Sequence, residues 1–296
     1  VSHGWHSLSA ILLSQIWGGF TTKITAGRAV LSDFDSVEEK QIVNPVDLGA
    51  SDEDKVRQLN SLTEENRPQV EEFLSFIDGR YGTKSKTSKK EDHKIIEKAH
   101  RPRIKETKDW FGVEHIRDSF RFKTVLENIE DLPKIAKDLK ESGLCEVVKT
   151  DTAKVLQPDI FGWRIAVFDL RMKNGQLVEY YLPVQELEQA KRTGNHATFE
   201  KWRDVDRKTM TSGQQLEYRQ DTRKSFAKYD RAFDAYLQRT RQKPEQVREA
   251  LEKTKRIFDK SKDKEVEKPS QEKKPSKLIE RIRQRKEKNK EDDLMR

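Results

Sequence analysis

Two short segments of this chain alternate apolar with charged or polar residues, and that period of two constrains the fold more than any other feature. The first is His115-Ile116-Arg117-Asp118-Ser119-Phe120-Arg121-Phe122-Lys123-Thr124; the second is Gln176-Leu177-Val178-Glu179-Tyr180-Tyr181-Leu182-Pro183-Val184. Both predict half-buried strands, and alternation puts Asp118 on one face with Ile116, Phe120 and Phe122. A carboxylate among apolar neighbours is costly unless it is paired, hydrogen-bonded or holding a metal ion. Function is to be sought where such acids stand.

Only 33% of the 296 residues are hydrophobic and 38% are charged, so the whole length cannot form one core. Part must be solvated helix or disordered tail. The net charge of +8 makes the surface attractive to phosphates, nucleotides, RNA or anionic lipid. A single cysteine, Cys145, excludes an intramolecular disulfide, fits a reducing, cytoplasmic compartment, and with no His/Cys cluster nearby argues against zinc. The apolar run from Leu8 to Trp17 is too short to span a bilayer and reads as a buried or interfacial helix, so no membrane association is expected. The chain opens on Val rather than Met, as a fragment or the processed end of a longer polypeptide would.

Four regions are expected. Residues 1–90 form a helical N-terminal region and linker: two helices across 51–81, the first capped by Ser51 or Asp52 and the second opened by Thr63, then a linker from Gly82 to Lys90. Residues 91–205 form an α+β domain with a mixed sheet flanked by helices, its strands at 116–125, 144–149, 163–171 and 177–184. Its helix at 129–142 is bounded by Asn128 and Gly143, and Lys173-Asn174-Gly175 makes a tight hairpin. Residues 206–262 form a helical extension, with helices at 213–242 and, after Pro244, at 244–261. Residues 263–296 form a charged, disordered tail too poor in apolar residues to offset its ordering entropy.

Within the α+β domain several weak signals converge. Arg101, Arg103 and Lys105 put three cations in five residues, enough to wrap a polyphosphate or simply a solvated helix end. Asp118 suits Mg²⁺, which takes one or two carboxylates plus substrate phosphates, or else caps the strand. Glu179 shares its strand face with Tyr181, where it accepts a proton from an attacking hydroxyl if that face lines a cleft and is merely exposed if it does not. Phe161-Gly162-Trp163-Arg164 offers an indole and a guanidinium beside a glycine, suited to stacking a base or to core packing. His196 and Glu200, four apart on a polar helix, are a ligand pair or an exposed surface pair.

The order and spacing of these residues resemble the synthetase domain of RelA/SpoT-type (p)ppGpp synthetases and their small toxin relatives. The likeness covers roughly residues 90 to 205. Arg101-Pro102-Arg103-Ile104-Lys105 matches the family's basic region, Ile116-Arg117-Asp118 its strand-head Asp, Gly162-Trp163-Arg164 its Gly-Tyr motif and Glu179-Tyr180-Tyr181-Leu182-Pro183-Val184 its Glu-x-Gln motif. The resemblance implies that Arg101, Arg103 and Lys105 grip ATP phosphates and that Asp118 binds Mg²⁺, with Glu179 as a second candidate ligand. It also implies that Trp163, with Arg164 beside it, stacks the acceptor base, that Glu179 is the catalytic base, and that Lys149 or Lys154 serves the family's preceding Lys. The implied reaction transfers the β,γ-diphosphate of ATP to a ribose hydroxyl of GDP, GTP or ADP, or of a tRNA 3′ end, with an immunity or antitoxin protein as a further partner. Here Tyr181 and Val184 replace the family's Gln and Thr, and Trp163 its Tyr. The competing reading is a non-catalytic nucleotide- or RNA-binding module of a larger phage- or mobile-element-associated polypeptide; a third is a scaffold whose helical C-terminus binds a partner.

Overall fold

In the computed structural model, residues 39–259 are described; the apolar run at 8–17 and the tail expected from 263 lie outside them. The chain divides into a unit ending at Val43, of which residues 39–41 are helical, and a unit beginning at Asn44. Every element below belongs to the second.

That unit opens with one 30-residue helix, α1 (Asp52–Tyr81), where two were expected. Ser51 caps it by accepting from the Asp54 N–H, acids fill its first turn, and Gly82 at φ 65° closes it by donating to Asp78. Thr63, expected to open a second helix, instead bonds its hydroxyl back to the Leu59 carbonyl at 2.9 Å inside the continuous helix. Next comes β1 (Lys84–Lys89), then α2 (Asp92–Ala99), a single turn at Pro102–Lys105, and β2 (Phe120–Val125). After β2 follow α3 (Leu132–Ser142), β3 (Cys145–Asp151), β4 (Ala166–Met172) and β5 (Leu177–Leu182). The chain ends in α4 (Gln185–Ala190), a π-turn at Lys191–Asn195, α5 (His196–Trp202), α6 (Ser212–Thr240) and α7 (Pro244–Phe258).

The fold is α+β, as expected: a five-stranded mixed sheet in the order β1-β2-β5-β4-β3, flanked by helices. Only β2 and β5, the two strands marked by alternation, pair in parallel; the other neighbours are antiparallel. The segment Gly82–Lys90 is no linker. It contributes β1, an edge strand whose lysines and hydroxyl residues carry no apolar period, so the boundary expected at 90 cuts through the sheet.

Alternation sorts the sheet into two faces. Phe120, Phe122, Phe168, Leu170, Tyr180 and Leu182 fill a core under α1, α3, α6 and α7, and Tyr180 donates or accepts at Thr124 Oγ1, 2.7 Å away. Residues 206–258 are therefore no appendage, since Tyr229, Phe233 and Tyr236 of α6 and Val247 and Leu251 of α7 lie in that same core. A buried amide network locks α1 to the β4–β5 hairpin: Asn66 donates to Asn174 and Gln176, and Gln176 donates to Thr63 at 2.8 Å. The opposite face of the sheet is polar. No helix among the described residues is long and apolar enough to cross a membrane.

Candidate active site on the polar face of the sheet

Strand register lays one row of side chains across the polar face: Ser88 on β1, Arg121 on β2, Glu179 on β5, Asp169 on β4 and Lys149 on β3. The next row is Lys86, Lys123, Tyr181, Val167 and Asp151. Directly opposed residues of neighbouring strands face the same way, so cations of β2 flank the acid of β5. Glu179 is half-buried here, with Tyr181 beside it as alternation required.

Asp118 precedes β2 rather than lying within it. The chain bends at 117–119, which sends Ile116 into a separate small core with Leu59, Ile95 and Ala99 and turns Asp118 away from Phe120 and Phe122. The shared apolar face expected for these four residues is thus corrected. Asp118 is 7% exposed and meets two ammonium groups: Lys98 of α2 donates to Oδ1 at 2.9 Å, and Lys90 donates to Oδ2. Burial alone would raise its pKa, but Lys98 and Lys90 outweigh burial and hold the carboxyl well below the usual range. Its two ammonium partners favour the ionised carboxyl.

Glu179 shifts the other way. Burial raises its pKa, the charge of Asp118 raises it further, and neither Lys98 nor the hydrogen bond from Tyr181 cancels them. Two carboxylates in one electrostatic neighbourhood with pKa values pushed apart are the pattern of an acid–base pair. Asp169, the other acid of the row, is neutralised by Arg117.

Lys123 donates to Glu188 of α4, Lys191 hangs over the Trp163 ring with its Nζ 5.1 Å from the centroid, and Arg121, Lys86 and Arg192 add charge to the same region. Burial pushes down the pKa of both Lys123 and Lys191, and other cations nearby push the same way. Positive charge exceeds negative along this flank, which suits a polyanion. Trp163 is half-buried, packed on Tyr229 at 5.2 Å, with the Lys191 ammonium on its ring.

The remaining expected site residues are spread around this face. Arg101 pairs with Glu97 at 3.3 Å and Asp204 at 3.4 Å, Arg103 donates to the Arg203 carbonyl at 3.4 Å, and Lys105 donates to the Phe111 and Asp109 carbonyls. The basic turn is therefore tied to the end of α5. Arg203, which follows α5, pairs with Glu97 of α2 at 3.6 Å. His196 stands 3.6 Å from Glu200. Lys149 keeps its place in the row, whereas Lys154 pairs with Asp151 at 2.7 Å.

Arg164 does not reach the face. It is buried, donates to the Val155 and Leu156 carbonyls and to Asp230 at 2.7 Å, and lies over the Phe233 ring, a clamp between the β3–β4 connection and α6. Gly162 has a similar structural use. At φ 87° a Cβ there would stand 2.7 Å from the Cα of Phe226, so the glycine admits the α6 backbone and not a ligand.

Sequence reading missed Lys90, Lys98, Lys123 and Lys191. Lys123 was legible, because alternation opposite Phe122 already turned it to the side of Glu179 once strand pairing was allowed for. Lys90 and Lys98 carried no local signal, since only the tertiary approach of α2 to the 117–119 bend brings them to Asp118.

The donor set fits a hard divalent cation held mainly by a substrate. Asp118 and Glu179 supply two carboxylates, and among the described residues no group of three or more His, Cys, Asp or Glu could make an all-protein cage. Asp118 exchanges its lysine contacts for such an ion only at the expense of two charge-assisted hydrogen bonds.

No family model and no curated protein matches the chain in sequence. Among solved structures it is similar to small alarmone synthetase 2 from Bacillus subtilis, at 16% identity and a TM-score of 0.47 over 62% of this chain and 95% of that one. It is also similar to a structure of the Type VI effector Tas1 with its immunity protein, at 16% identity and 0.43 over 60% and 96%. A GTP pyrophosphokinase family protein from Streptococcus pneumoniae is similar at 13% identity and 0.42 over 66% and 96%.

Proposed function

We propose that the chain transfers the β,γ-diphosphate of ATP to a ribose hydroxyl of a nucleotide. The observation that carries this reading is a pair of acids near enough for one charge to act on the other, Asp118 favoured in its ionised form by Lys98 and Lys90 and Glu179 raised by burial and by the Asp118 charge. A base must be deprotonated yet willing to take a proton, and a raised carboxylate pKa moves Glu179 toward that condition. Arg121, Lys123 and Lys191 would neutralise the phosphates, with Arg101, Arg103 and Lys105 at the rim, and Trp163 would bear the acceptor base. Mg²⁺ brought by ATP and met by Asp118, with Glu179 in reach, would supply charge neutralisation on the transferred group. For this chemistry the protein's contribution is position and charge.

The test is incubation of the chain with Mg²⁺ and ATP labelled at the β-phosphate, beside GDP, GTP, ADP and bulk tRNA in turn. Label should pass to one nucleotide acceptor, and Glu179→Gln should reduce the rate by at least about a hundredfold, the usual worth of a general base. Transfer by the variant at the parent's rate would remove Glu179 from the reaction. A second reading has one observation in its favour: both oxygens of Asp118 already carry lysine ammonium groups, as a fold kept for nucleotide binding alone would tolerate. ATP binding without transfer to any acceptor is its signature.

A further inference from the structure

We propose that Tyr181 is a positioning residue for Glu179, its phenol holding one carboxylate oxygen so that the other is presented to the acceptor hydroxyl. This rests on the reading of Glu179 as base. The two residues lie two apart in β5 and so face the same side, and the Tyr181 O–H donates to Oε2 of Glu179. Among the described residues Oε1 of Glu179 takes no hydrogen bond. Tyr181 stands in register between Lys123 of β2 and Val167 of β4.

The consequence is a division of labour between the two oxygens. As the acceptor oxygen bonds to the β-phosphorus of ATP, its proton passes to Oε1, and the bond from that phosphorus to the α,β-bridging oxygen breaks with its electron pair leaving on AMP. Tyr181 exchanges no proton.

Two measurements on the full chain decide the matter. In protein labelled with ¹³C at the glutamate carboxyl carbon, the Glu179 resonance is identified by its loss in Glu179→Gln, and in Tyr181→Phe it should move by more than its linewidth. In the transfer assay Tyr181→Phe should lower kcat by about 10- to 100-fold, the range for losing one hydrogen bond to a charged group. KM for ATP and acceptor should stay within about twofold. Tyr181→Leu gives the same two readings should the Phe variant fail to fold. An unmoved resonance, an unchanged kcat, or a raised KM with kcat intact would each overturn the assignment, the last making Tyr181 a substrate contact. Should the parent chain transfer no label, the function reading falls alone, and the resonance still answers for Tyr181.

Discussion

One carboxylate faces two ammonium groups at Asp118, and that imbalance decides how the cluster responds to change. A single negative charge can satisfy one buried cation, so Asp118 is held firmly ionised while burial and the neighbouring Lys98 press Lys90 down to about 8 despite its pairing with Asp118. The cost of the cluster is therefore concentrated on Lys90. Asp118→Asn should destabilise the fold by about 3–5 kcal/mol, the range for leaving buried charge unpaired, whereas Lys90→Met should be near neutral; urea unfolding of both variants measures the contrast. Equal losses would mean that the cost of the cluster does not fall on Lys90. Glu188 obeys similar bookkeeping on the other flank, where Lys123, Lys191 and Arg192 outweigh its burial and lower its pKa from 4.5. The unfolded chain then binds the proton first, so this pair's stabilisation is complete above about pH 4.5 and drains away as the pH falls further. Glu188→Gln should flatten that acid limb of a stability–pH curve, and an unaltered limb would show that the pairing contributes nothing to it.

Elements were legible from the sequence in proportion to how far burial wrote a period into them. The strands β3, β4 and β5 and helix α3 fall close to where alternation or helical spacing put them, because each has one face in the main core. β1 was illegible for the opposite reason: as an edge strand of Lys, Ser and Thr it buries little, and its place is dictated by the hydrogen bonds of β2. Thr63 misled because a helix-interior threonine bonded to its own i−4 carbonyl carries the same letters as a cap. At the candidate site the acids were readable from their own cost, while Lys90 and Lys98, which offset that cost for Asp118, belong to another element. Gly162 joins two elements in a way sequence could flag but not interpret. Its φ of 87° and the 2.7 Å approach of the Phe226 Cα leave no room for a methyl, and that Cα is backbone rather than the end of a flexible side chain. Gly162→Ala should lower stability by roughly 1–3 kcal/mol for the left-handed backbone alone, and should loosen Trp163 against Tyr229, visible as a shift in tryptophan emission. A silent substitution would mean that α6 is free to move aside.

At the scale of the whole molecule, the sheet is finished by segments from both ends of the described chain, and this makes the domain larger than its motifs. The motif-bearing stretch of 91–205 lacks β1, whose carbonyls and N–H groups complete β2, and it lacks α1, α6 and α7, which cover the apolar face. Tyr236 illustrates the dependence. It is fully buried, its hydroxyl accepts from the Ile129 N–H at 2.9 Å at the entry to α3 and donates to Gln242, so one side chain of α6 satisfies a buried backbone donor more than a hundred residues earlier. Stripped of these covers, Phe168, Leu170, Ile135 and Leu139 would face water, a loss that hydrogen bonding within the remaining sheet cannot offset. A piece cut to residues 91–205 should therefore show no cooperative unfolding transition by circular dichroism, whereas residues 44–259 should unfold in a single step. If the shorter piece melts sharply, the helices beyond 205 are accessories to a smaller domain and the boundary suggested by the motifs is physical. The same cut separates Trp163 from Tyr229, so retention of fold without α6 would also mean that the indole at the edge of the candidate site is held by something other than the ring now packed against it.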